Sequence, residues 1–236
     1  MLRKKTAQLP FQEAYIIHST PYLETKLRLC VLTKKQGVII GIVRKPGKKK
    51  PPLQILTPLS MQISQGRNMA TIHTIEPLPG NRLLRGQALW AALYFNELIY
   101  RLCPPNDETS TLFACYQTHL EKLHTSYTTT LVRQFEHQLL SILGFGLHYD
   151  CLTSNASWFK YHAEQGLEPC SSTHPEKIDR KTIEGLEAQN WQDPAVAQTS
   201  KRIFAKVLTQ LLGHKALFIT NLLTKKKPPT NLKSPT

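Results

Sequence analysis

Hydrophobic and polar residues alternate with period two through roughly the first third of the chain and follow a helical period after it. Segment 57–65 alternates cleanly, with Leu59, Met61 and Ile63 on one side and Ser60, Gln62 and Ser64 on the other. Segment 26–33 places Leu27, Leu29 and Val31 on one face and Arg28 opposite. Segment 38–43 is apolar on both faces, which suits a buried strand bent at Gly41. Residues 14–18 and 69–76 complete about five short strands. Lys35-Gln36-Gly37 makes a tight hairpin turn, while Pro46-Gly47 and Pro51-Pro52 bracket a loop that cannot be strand interior. Five short strands within 80 residues predict a small closed barrel.

After residue 80 the stripes are helical. Residues 86–102 carry Leu89, Ala92, Leu93, Ile99 and Leu102 on one stripe. Residues 131–143 repeat Leu131, Val132, Phe135, Leu139, Ile142 and Leu143 and stop at Gly144. Residues 108–124 form a weaker helix, and Asp179 caps a short one to about residue 187. Asp193-Pro194 opens a further helix through Val196, Ile203, Val207 and Leu211, ending at Gly213. Residues 145–178 show no clear period. The expected class is α+β in two domains: a barrel over 1–80 and a helical domain over 81–221, followed by a Lys/Pro-rich tail, 222–236, read as disordered.

Charge adds a direction to this outline. The 236 residues carry a formal net charge of +14, and it is not spread evenly. Residues 1–80 hold 13 Lys+Arg against 3 Asp+Glu, residues 81–221 hold 13 of each, and residues 222–236 hold 4 Lys and no acid. An excess confined to the barrel and the tail points to a polyanionic partner. The competing reading is a solvated loop with an accidental basic tail. No uninterrupted run of 18 apolar residues occurs, and the basic start lacks an apolar stretch after it, so neither a membrane span nor a secretory signal is expected. The five cysteines at 30, 103, 115, 151 and 170 are then expected as reduced thiols in a cytoplasmic protein.

The densest local feature is Arg44-Lys45-Pro46-Gly47-Lys48-Lys49-Lys50, five cations in seven residues on a loop leaving a strand. Such a loop lets several cations meet consecutive phosphates, each releasing counterions. With Arg28, Lys34, Lys35 and Arg67 it forms the candidate phosphate-binding set. Tyr15, Tyr22 and Phe11 are the nearby aromatics able to stack on bases, core packing being the alternative for each. No phosphate-binding glycine loop, dinucleotide fingerprint, zinc-protease motif, nucleophile elbow or tight carboxylate cluster occurs, which argues against an NTPase, polymerase or hydrolase, and no enzyme activity is expected. His148, Cys151, Cys170 and His174 have spacings that zinc could use, but chance pairing is the simpler reading, so no metal or cofactor is expected. His119 and His124, five apart, do not share a helix face, and Cys30, Cys103 and Cys115 read as small core residues.

Several segments resemble the RecO family of bacterial DNA-repair proteins. They are Ala14-Tyr15-Ile16-Ile17-His18, then Pro21-Tyr22 with Glu24-Thr25, Thr33 with Gly37, Val43-Arg44-Lys45 with Gly47, and Leu56-Thr57-Pro58-Leu59. In the helical part, Asn96-Glu97-Leu98-Ile99 with Arg101-Leu102 is similar to the family's N-E-L-L-x-R-L helix. Leu131-Val132-Arg133 with Phe135-Glu136, Leu139-Leu140 and Gly144-Phe145-Gly146-Leu147 is similar to its L-R-x-F-E helix and cap. Each piece is weakly specific, but their order and spacing from about 11 to 223 are highly specific. The resemblance implies an N-terminal OB-fold joined to a helical domain. It also implies binding of single- and double-stranded DNA, strand annealing, and work with RecR and RecF to load RecA onto DNA coated by single-strand binding protein (SSB). It implies capture of the acidic SSB tail by the helical domain. Many relatives carry two C-x2-C pairs in the irregular region, where only Cys151 and Cys170 stand here, so a family zinc site is expected to be lost and the region to hold by packing alone.

On these readings the barrel grips phosphates without reading sequence. Val132, Arg133 and Phe135 are the expected edge of a pocket for the SSB tail, Arg133 pairing its carboxylate. The alternatives are an RNA-binding or ribosome-associated OB-fold protein, a metal-dependent nucleic-acid enzyme using the His/Cys pairs, and an adaptor for an acidic protein.

Overall fold

The computed structural model describes residues 9–47, 52–79, 83–105 and 110–219. Its first third is a closed barrel of five strands: β1 (Phe11–Tyr22), β2 (Lys26–Thr33), β3 (Gly37–Arg44), β4 (Leu59–Ser64) and β5 (Ala70–Pro77). The spatial order is β1-β2-β3-β5-β4, and β1 closes back on β4. β3 and β5 run parallel and all other pairs antiparallel, which gives an OB-like barrel. Period-two alternation sends Ala14, Ile16, Leu29, Val31, Ile39, Met61 and Ile72 inward as one core. At Gly41 the closure is tight: a Cβ there would lie 2.9 Å from the Ile72 side chain, so glycine lets β5 approach β3.

Five helices follow: α1 (Gly86–Leu102), α2 (Ser110–Thr125), α3 (Thr129–Ile142), α4 (Arg180–Glu187) and α5 (Pro194–Leu211). Their caps are written in the chain. Thr128 accepts from Leu131 N, Asp179 from Thr182 N, and Asp193 from Ala195 and Val196 N. At the end of α3, Gly144 takes φ +80°, Phe145 N donates to Leu140 O and Gly144 N to Ser141 O, the paired bonds of a Schellman stop. Phe95 of α1 and Phe135 of α3 stack at 3.8 Å in the centre of the helical core.

The barrel and the helices share that second core. The outward residues Tyr15, Ile17, Cys30, Leu32 and Val38 are buried against α1 and α2 instead of facing water. Tyr15 meets Phe113 and Tyr116 ring to ring, while Asn96 Nδ2 donates to Ile17 O at 3.0 Å and Tyr116 Oη donates to Asn96 Oδ1. Cys30, Cys103 and Cys115 are buried, as small apolar residues would be.

The stretch without a sequence period contains a small sheet, β7-β6-β8, built from β6 (Trp158–His162), β7 (Gly166–Pro169) and β8 (Ile178–Asp179). Strands this short leave almost no alternation to read. Nor does packing alone hold the region. The Arg180 guanidinium donates to the backbone oxygens of Leu152, Ser154 and Ala156, and its Nε reaches Glu184. One cation thereby fixes the loop that precedes the sheet. The expected basic tail, 222–236, and the lysines Lys48, Lys49 and Lys50 lie outside the described residues.

Candidate nucleic-acid interface

Beyond the footprint of the helices, the outer face of β1, β2 and β3 stays open at one end. Pairing fixes what stands side by side there. Tyr22 is opposite Lys26 and Lys26 opposite Arg44, making one row across three strands. The next outward row is Thr20, Arg28 and Ile42. Lys26 and Arg44 are both exposed. Like charges directly opposite in a sheet destabilise it. Among the described residues no carboxylate pairs with Lys26, Arg28, Arg44, Lys45 or Arg67. Lys26 opposite Arg44 is therefore a slightly destabilising pair within the barrel.

Arg28 and Arg67 also meet at a cleft. A cavity of about 410 Å³ is lined by Arg28, Ile39 and Ile40, by the β4–β5 loop from Gln65 to Met69, and by Pro105. Nucleic-acid-binding barrels of this order use the β2–β3 face with the loops following β1 and β4, and here those elements carry Lys26, Arg28, Arg44 and Arg67.

The expected set is thus divided by the fold. Arg28, Arg44 and Arg67 stand on the open face or its flanking loop, and Lys48–Lys50 continue the chain from its Arg44 end. Lys45 secures the β1–β2 turn, its Nζ donating to Glu24 O at 2.7 Å and its backbone N to Thr25 O. Lys34 and Lys35 sit at the opposite end of the hairpin, about 24 Å away by strand rise, where Lys34 pairs with Glu13 at 2.8 Å. Lys26 was not among the expected residues. The signal was present, since Lys26 lies two positions before Arg28 on the same face. Of the aromatics, Tyr15 is core and Phe11 is exposed on β1 by β4, so Tyr22 alone joins the cationic row.

The expected pocket edge on α3 is not formed by its three residues. Phe135 is fully buried against Phe95, and Val132 turns into the same core. The 131–143 stripe that marks the helix is the buried stripe, so its members cannot also line a surface pocket. Arg133 stands off the stripe, with Nη1 2.5 Å from Glu136 Oε2 but out of hydrogen-bond alignment. Tyr94 donates to the other oxygen of Glu136 at 2.5 Å. Burial pushes the Glu136 carboxyl up to about 7, against the opposing pull of Arg133 and Tyr94.

Among the described residues no three His, Cys, Asp or Glu side chains converge as a metal site would need. Also among the described residues, no helix is long and apolar enough to cross a membrane.

The family model "Recombination protein O N terminal" matches residues 11–80 and "Recombination protein O C terminal" matches residues 84–215. The chain is 32% identical to the DNA repair protein RecO of Nitrosococcus oceani, over 90% of this chain and 92% of that one. It is 31% identical to that of Nitrosospira multiformis, over 90% and 93%. Against that of Coxiella burnetii the identity is 29%, over 92% and 99%. Two family models in tandem, matched in the order in which the barrel and the helices follow one another, show that this chain belongs to the RecO family.

Proposed function

We propose that this chain is a non-enzymatic DNA-repair protein that binds single- and double-stranded DNA through the open barrel face and anneals complementary strands. The observation that carries the reading is the row Lys26–Arg44 with Arg28 and Arg67, cations without carboxylate partners among the described residues, on the face and loop that such barrels use for nucleic acid. The side chains contact phosphates and carry no sequence-specific readout, so the grip is general. Neutralising two strands at once lowers the repulsion that slows their pairing.

In the cell this activity acts with RecR, and with RecF where it is used, to help load RecA onto SSB-coated DNA. The near-neutral helical domain takes the acidic SSB tail, and Arg133 is the one member of the expected edge that lies outside the buried core. The deciding experiment is annealing of SSB-coated complementary strands. Addition of this protein accelerates annealing if the reading holds, and no acceleration overturns it. The triple variant K48E/K49E/K50E weakens DNA binding at every sequence and flattens its salt dependence.

A further inference from the structure

The inward–outward alternation of β1 breaks once, and the break turns a histidine onto the seam between barrel and helices. Ala14 and Ile16 point into the barrel, and Tyr15 and Ile17 point out toward the helices. Strict alternation would send His18 inward. Instead the β1–β2 register shifts between Ile16 and His18, so that Ile16 faces Val31 while His18 faces Cys30, an outward residue. A bulge of this kind re-aims a side chain, and bulges are frequent beside binding sites. The re-aimed imidazole is exposed and stacks on Tyr100 of α1, with centroids 4.2 Å apart and planes at 30°.

The pair adjoins the cations already described. Thr20, two residues on from His18, is opposite Arg28, and Arg28 is near enough to help hold the imidazole below its ordinary pKa, after burial. On the other side of Arg28 lies the 410 Å³ cleft with Arg67. An aromatic pair, an arginine and a second arginine beyond it thus line one seam, a sequence of groups that suits a base, its phosphate and the next nucleotide. Only an unpaired base exposes the ring face that such a pair would stack.

We propose that the His18–Tyr100 pair is a stacking platform for an unpaired DNA base, with Arg28 taking the adjoining phosphate. The inference rests on the DNA-binding reading above and adds a preference for single strands at this seam. Its test compares H18A and Y100L with the wild-type chain. The probes are a short oligothymidine, an abasic strand of the same length and a duplex. Both variants bind the oligothymidine about fivefold or more weakly, the scale of one base stacked on one ring. They leave the abasic strand, the duplex and the salt slope unchanged. H18F and Y100F, which keep the rings, retain wild-type binding and also guard against misfolding in the truncated variants. Equal losses on all three probes, or no loss on the oligothymidine, overturn the platform and leave the pair as a joint between domains. Absence of wild-type binding to any of the three probes overturns the DNA reading itself, and the platform with it.

Discussion

Glu136 shows how much a single residue's setting departs from its sequence pattern. It sits on the polar side of Phe135 in the chain, yet it is almost wholly buried, with Arg133 and Tyr94 as its polar neighbours. Its carboxyl titrates near 7, above the ordinary 4.5. The unfolded chain therefore ionises first as pH rises, and the folded state is disfavoured progressively between those two values. The stability lost across that window is up to about 3 kcal/mol. In E136Q this component is absent. Urea melts at about pH 5 and pH 8 should show the wild type losing more stability on going up than E136Q does. His18, His119 and His137 are held below their ordinary value, chiefly by burial, and work the other way, removing stability as pH falls. The difference between the two proteins isolates the glutamate. Nothing in the residue pattern announces this, because burial of a charge is decided by which helix lies opposite, and here that is Tyr94 of α1.

At the scale of elements, α1 joins the two halves. Asn96 is buried, donates to Ile17 O of β1 and accepts from Tyr116 of α2. N96L would leave a backbone carbonyl and a phenol without partners in the core, at a cost of about 2–4 kcal/mol. A drop of that size in the urea midpoint, partly relieved by adding Y116F, would show the coupling. A change under about 0.5 kcal/mol would mean water replaces the amide. The strands and helices themselves were largely legible. Leu59, Met61 and Ile63 alternate as a half-buried strand must, and Asp179 and Asp193 are caps in both sequence and structure. What was not legible is which outward faces are covered. Cys30 and Leu32 look like solvent-side residues of β2 until α1 and α2 are placed on them. The β6–β8 sheet escaped for a related reason, since its register is set by tertiary contact and by Arg180 more than by pattern.

For the whole molecule, the charge partition was legible from counting alone, but its geography was not. Nine expected cations form a single list in the sequence, whereas the barrel divides those it describes between the two ends of one hairpin and the β4–β5 loop. If the open face is the DNA grip, its cations act together and the far pair does not. Each phosphate neutralised contributes about 0.7–0.9 to the slope of log affinity against log salt. Changing Lys26, Arg28, Arg44 and Arg67 to Gln should therefore flatten that slope by about 3 units on single-stranded DNA. K34Q/K35Q should barely move it, because Lys34 is already paired with Glu13 and both lie about 24 Å from the row. Equal flattening by the two sets would mean that DNA wraps the full length of the hairpin. The Lys26 change carries particular weight. Lys26 and Arg44 repel each other across the strands in the free protein. K26Q alone should then raise the melting temperature slightly while weakening DNA binding, and these opposite signs identify a residue kept for its ligand at the expense of its fold.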